Sequence, residues 1–208
     1  MKMSQSVVQL LLKFLLFVVS AMHVSSSSAA SSDQKIYQIV LNQVVKFDTP
    51  PRFAVWDSLI PSTTILSFRV PRHAPESQFT SMRGLPRKLQ QRLLEAGDND
   101  SSALTDLEVS FDSTTFIGFA DKAAIQKYAE YGKGPDWLLA IGLSKVAYDK
   151  TVKNALVYVE SCMVTVAPTC SGEGYWLVRT GKNWKLKKQT SFWQGSAQPF
   201  WTFDKGAR

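Results

Sequence analysis

The sequence predicts an α+β fold, with N-terminal helices packed on a curved antiparallel sheet that ends in a C-terminal β-meander. Three observations predict it. Ile36, Val40 and Val44 recur at helical spacing near the start of the folded part. The last third holds four strand-like segments separated by turn signals. Finally, 45% of residues are hydrophobic and 12% aromatic, enough to build a core and to argue against disorder. Helices first and a meander last is the pattern of helices covering one face of a sheet.

The stretch from Met1 to Ala30 reads as a signal peptide. Lys2 and Lys13 make a basic start, Phe14 to Val24 is apolar, and Ser28 and Ala30 suit the positions before a cleavage site. The uncharged run after Lys13 is shorter than the ~20 residues a spanning helix needs. The expectation is therefore export, periplasmic or secreted, with cleavage near Ala30 and a single domain over 31–208. Formal net charge is +7, and loss of Lys2 and Lys13 brings the mature chain near +5. Such a balance favours anionic surfaces, such as phosphate-bearing envelope polymers or acidic proteins. It is not a nucleic-acid footprint, because no basic stripe interleaved with aromatics and no recognition motif occurs outside one hairpin.

Asp33 caps the first predicted helix, which carries Tyr37 and Leu41 and ends near Phe47, since Thr49-Pro50-Pro51 cannot continue it. Arg52 to Ile60 reads as a strand, and the β-branched Thr63 to Val70 as another. A loop over Pro71 to Gly84 follows. The next helix places Leu89, Leu93 and Leu94 on one side and stops at Gly97. Asp98 to Ser102 is a turn. Thr114 to Phe119 reads as a strand, and the helix after it is capped by Asp121 and ended by Gly132. Trp137 to Asp149, the strand containing Ala155 to Val159, the strand from Gly172 to Thr180 and the strand from Asn183 onward form the meander. Thr180 to Asn183 and Lys150 to Asn154 are its short connections.

Cys162 and Cys170 are the two cysteines. In an exported chain an even count reads as a disulfide. Cys162 ends one strand and Cys170 precedes the next, so the bond pins a hairpin, worth about 2.5 kcal/mol from loop entropy. The alternatives are weaker. A thioredoxin-type site needs C-x-x-C at a helix start. A zinc site needs three or four ligands, and a cysteine nucleophile needs a base. After cleavage His73 is the one histidine left to serve either.

The segments containing Leu143, Ser144, Val146, Tyr148, Ala155 to Val159, Cys162, Cys170, Gly172, Gly174, Tyr175 and Trp184 carry a resemblance. They resemble the C-terminal half of a family of uncharacterised exported bacterial proteins. There a pattern LSxVxF and an ALVYV strand precede a cysteine pair with glycines, an aromatic strand and a hairpin tryptophan. The match covers roughly the last third of the chain. The segment between the cysteines is longer here, and Ser171 stands where that family has glycine. At fold level the meander is similar to the last strands of cone-shaped NTF2-like domains. The resemblance implies export and implies no activity.

Catalytic signatures are missing from the sequence. There is no G-x-S-x-G, no G-x-x-x-x-G-K-[ST] and no H-E-x-x-H. Asp98 to Ser102 opens like a calcium loop but lacks the glycine and distal glutamate. No cofactor or metal is implied. Carboxylate acid–base chemistry is the one catalytic reading left, with Glu160 and Asp57 as candidates because each sits in an apolar strand. Glu160 follows Tyr158 on the same face by alternation. The competing reading puts both acids on the solvent side of a half-buried strand. Arg179, Lys182, Lys185, Lys187 and Lys188 form a basic hairpin in which Trp184 and Leu186 alternate with lysines. It reads either as a lysine-protected edge strand or as a patch for an anionic partner. Phe192, Trp193, Phe200, Trp201 and Phe203 are expected to pack over an open end of the sheet, or to mark a partner site if exposed. Asn99-Asp100-Ser101 fits a glycosylation acceptor in a eukaryotic host.

Two functions from different classes fit these features. One is a non-catalytic module that binds a small ligand or an envelope or protein partner, in the cell envelope or outside the cell. The other is a small NTF2-like enzyme using pocket carboxylates. In a third reading the N-terminal segment stays uncleaved and is the protein's sole membrane contact.

Overall fold

The computed structural model describes residues 32–46, 52–60, 84–95, 104, 107–111, 115–131, 138–165 and 168–195. The chain divides into two compact units, Met1–Lys35 and Ile36–Arg208, and the packing described here lies within the second. The signal segment, the strand over 63–70, the loop before Gly84, Gly97, the turn at 98–102 with its glycosylation acceptor, Gly132 and the aromatics at 200–203 lie outside the described residues. So does His73.

Helix α1 covers 32–44. Then come β1 (Arg52–Ile60), α2 (Arg87–Glu95), β2 (Phe116–Ala120), α3 (Lys122–Tyr131), β3 (Leu138–Ser144), β4 (Ala147–Tyr148), β5 (Asn154–Val164), β6 (Cys170–Thr180) and β7 (Asn183–Gly195). The seven strands form one sheet in the order β2-β1-β3-β5-β6-β7, with β4 paired to β5. α+β content is therefore as expected, but the sheet is mixed rather than antiparallel. β1 pairs parallel with both β2 and β3, whereas β3, β5, β6 and β7 make the antiparallel meander. Helices are also interleaved with strands instead of preceding them, because parallel neighbours require a crossover connection.

Burial explains the strand sequences. Phe53 to Trp56, all of β3 and Ala155 to Glu160 are buried residue after residue, as expected for strands covered on both faces. On one face Leu89 and Leu93 of α2 and Ile125 of α3 join Ala54, Trp56, Ala140, Leu156 and Tyr158 in one buried cluster. On the other, Phe53, Val55, Ile141, Val157 and Leu177 share a cluster with Ile36, Tyr37, Val40 and Leu41. Gln38 adds a polar tie, accepting from the Ser110 amide at 2.8 Å and donating back to the Ser110 carbonyl.

The predicted cap of α3 is in place, and α2 has a tie the sequence did not announce. Asp121 accepts from the Ala124 amide at 2.7 Å, an N-cap bond that starts α3. Arg92, in the last turn of α2, donates to the Tyr148 carbonyl. The expected single strand over 137–149 is instead two, broken after Ser144. At the break the Ser144 hydroxyl takes the place of a ladder carbonyl and accepts from the Tyr158 amide at 2.8 Å. Its own proton goes to the Lys145 carbonyl, and its carbonyl accepts from the Tyr37 hydroxyl.

Candidate functional site

The meander's inner face carries a polar group where an apolar one is expected. Glu160 is 0% exposed. Alternation along β5 puts it on the same face as Tyr158 and Cys162, as the sequence implies. The solvent-side reading of Glu160 is overturned, because both faces of β5 are covered.

One row of the sheet organises the site. Gly142 of β3 pairs with Glu160, Glu160 with Gly172 of β6, and Gly172 with Trp193 of β7. The carboxylate thus has a glycine on each side. A Cβ at Gly172 would lie 2.5 Å from the Tyr158 hydroxyl and 2.7 Å from Trp193 Cε2, with Trp193 Nε1 closer still. The indole therefore lies over a bare backbone. Gly174 plays the same part for Phe192, whose Cζ would be 2.5 Å from a Cβ there.

Phe192 and Trp193 reach this face together because β7 is bulged. Gly172 pairs with Trp193 while Glu173 pairs with Ser191, leaving Phe192 as the extra residue. A bulge turns consecutive side chains to one side. Phe192 and Trp193 are buried within the cluster on one face of the sheet, so the alternative of an exposed patch does not hold for these two.

The resulting chain of hydrogen bonds runs from Trp193 Nε1, which donates to the Tyr158 hydroxyl at 3.0 Å. That hydroxyl donates to Glu160 Oε2 at 3.3 Å. The Tyr158 ring stacks on Phe192 with centroids 6.0 Å apart. Burial pushes the Tyr158 phenol well above its ordinary range, and the neighbouring Glu160 charge pushes it further. The Trp193 bond works in the opposite direction without prevailing. Tyr158 therefore keeps its proton and stays a donor to Glu160.

Cys162 and Cys170 are joined as a disulfide. They are opposite residues of β5 and β6 with Cα atoms 4.1 Å apart, so the bond staples neighbouring strands within the sheet. Glu160 Oε1 lies 3.8 Å from Cys162 Sγ. A disulfide sulfur carries no proton, so this is a contact and not a hydrogen bond.

The second acid candidate is elsewhere. Asp57 is half-buried on β1 and accepts from the Ser58 hydroxyl at 2.9 Å. It falls in an irregularity where β1 takes more residues than β3 between Val55 and Leu59. β3 stands between β1 and β5, which sets the two acid-bearing strands about 10 Å apart. Asp57 and Glu160 are not a carboxylate pair.

The basic hairpin lies on the sheet's outer edge, since β7 is its last strand. Arg179, Lys182, Lys185, Lys187 and Lys188 are all exposed. Trp184 is buried and Leu186 half-buried, which bears out the apolar and cationic sides. Lys187 is the extra residue of a second irregularity, between the pairs Trp176–Lys188 and Leu177–Leu186. The Arg179 guanidinium lies 6.0 Å from the Trp184 ring centre, a cation–π distance.

Sequence reasoning missed the Tyr158–Trp193 bond and the role of the glycines. The signal was present in the alternation Gly172-Glu173-Gly174, which removes every side chain from one face of β6 over that stretch. Among the described residues no helix is long and apolar enough to cross a membrane. No protein-family model, curated protein or solved structure matches this chain.

Proposed function

We propose that the protein is an exported, non-catalytic binding module that engages an anionic partner of the cell envelope through the outer edge of β7. The observation that carries this reading is the exposed cations of the hairpin that ends the sheet: Arg179 of β6, Lys182 of the turn, and Lys185, Lys187 and Lys188 of β7. A cation row on a rigid ladder presents several charges to one polyanion at once, and its long-range field accelerates encounter. The disulfide is compatible with a life outside the cytoplasm. Glu160 supports the reading from the other side, because a fully buried carboxylate presents no base to a substrate in solution.

The test is binding of the purified protein to poly(glycerol phosphate), followed against salt. Wild type should bind with an affinity that falls as salt rises. A Lys185→Glu, Lys187→Glu variant should bind at least about tenfold more weakly, a loss near 1.4 kcal/mol, with unchanged melting. Unchanged affinity in that variant would sink the proposal.

The second reading, an NTF2-like enzyme using pocket carboxylates, is favoured by one observation. Glu160 sits in an apolar wall with a tyrosine donor at its oxygen, the environment in which carboxylates are tuned for acid–base work. It requires the pocket to open, and a small molecule that travels with the protein in a native mass spectrum would favour it.

A further inference from the structure

We propose that the dithiol form of the protein holds a soft divalent metal ion, of the zinc type, between Cys162, Cys170 and Glu160, and that disulfide formation closes this site. The two sulfurs and a Glu160 oxygen lie within 4.8 Å of one another, and all three residues are buried. A cross-strand staple in an apolar core needs no carboxylate beside it, yet Glu160 Oε1 is 3.8 Å from Cys162 Sγ. In a tetrahedral zinc site with Zn–S about 2.3 Å and Zn–O about 2.1 Å, the S···O edge is about 3.6 Å. The spacing already present is close to that edge.

The scaffold suits such a site in three further ways. Cys162 and Cys170 face each other in register on adjacent strands, so once the S–S bond is gone, side-chain rotation brings both thiolates to one centre. They form the last register pair before the hairpin connection, where Thr165 and Thr169 are exposed, so the site lies near a rim and not in mid-sheet. Tyr158 donates to Glu160 Oε2 and is itself held by Trp193. That is the kind of outer support that orients a ligating carboxylate. Three protein ligands leave the fourth position to water.

The balance is simple. The chain is a dithiol as synthesised. The oxidised form returns to it when a dithiol or phosphine delivers two electrons, two protons from the medium completing the thiols. Metal binding then displaces both thiol protons, and two thiolates and one carboxylate hold the ion. A disulfide-bearing oxidant closes the site by thiol–disulfide exchange: it takes the two electrons and leaves as two thiols with protons from the medium, the sulfurs of Cys162 and Cys170 join, and the metal is released.

The experiment is titration of the full chain with Co2+ and then Zn2+, after reduction by a phosphine that does not bind metal. One cobalt per chain should give thiolate-to-cobalt charge-transfer absorption and the visible bands of a tetrahedral ion. Cobalt binding should release two protons, and zinc should then displace the cobalt with no further release. The oxidised protein should show none of this. Glu160→Gln keeps both cysteines and should weaken zinc binding by at least about 10- to 100-fold, the loss seen when a group that merely supports a ligand is removed. No charge-transfer band in the reduced protein would overturn the proposal. So would equal affinity in Glu160→Gln, since cysteines that bind metal outside the folded sheet would not sense residue 160.

Discussion

Replacing Gly172 by alanine adds one methyl group, and the structure says where it goes. The new Cβ would meet the Trp193 indole and lie 2.5 Å from the Tyr158 hydroxyl. Neither ring has room to retreat, because Tyr158 stacks on Phe192 and both Phe192 and Trp193 are buried. Overpacking of this kind costs about 1–3 kcal/mol. If the indole swings aside instead, its bond to Tyr158 is lost, at about 1 kcal/mol. Alanine gives back about 0.5–1 kcal/mol relative to glycine through the unfolded chain. The expected net loss is about 2 kcal/mol, a sizeable part of a domain's 5–15 kcal/mol. Urea unfolding followed by far-UV and near-UV circular dichroism measures it. The same change on a Trp193→Leu background should cost close to nothing, a coupling of at least about 1.5 kcal/mol. Stability within about 0.5 kcal/mol of wild type for Gly172→Ala, or additive effects in the cycle, would refute the account of the glycine row.

Three further outcomes are expected. The Asp149 carboxylate is opposed by partial burial but accepts from the Asn154 side chain, the Lys153 and Asn154 amides and Thr151, and these hold its pKa at about 2 against an ordinary 3.8. A lowered folded-state value means stability that is complete above pH ~4 and lost as pH falls towards 2. After allowance for solvent screening this is about 1 kcal/mol, and Asp149→Asn should flatten that part of an acid-unfolding curve. Val152 has φ of 52°, a left-handed conformation that is unfavourable by about 1–2 kcal/mol for an L-residue. Val152→Asn should raise the melting temperature by a few degrees in a thermal melt. Leu93→Ala, at a site 1% exposed beneath α2, should lose about 2–5 kcal/mol in denaturant unfolding.

The local parts of this fold are legible in the sequence because local physics decides them. Asp121 caps a helix through its own side chain, Leu89 and Leu93 fall on one helix face, and the β6–β7 turn needs two residues. Cys162 and Cys170 pair because the hairpin places them opposite one another. The parallel pairing of β1 with β2 and β3 is not local, and nothing in Phe53 to Trp56 names its neighbours. The unbroken apolar run of β3 does signal two covered faces, and with it the burial of Glu160 by covering from both sides. Bulges hide best. One extra residue in β7 reverses the alternation, so Phe192 and Trp193 point inward together, and the sequence pattern alone gives no register from which to count it.

The split character of the sheet bears on the order in which it assembles. Arg52 pairs with Leu138, and closing that separation costs about 2 kcal/mol more chain entropy than closing the Cys162–Cys170 hairpin. Short-range pairings form first, so the meander is the natural folding nucleus, and β1 must wait for it as a template. Yet β1 leaves the ribosome well before β3, so it waits without the strand on which its longer parallel pairing is built.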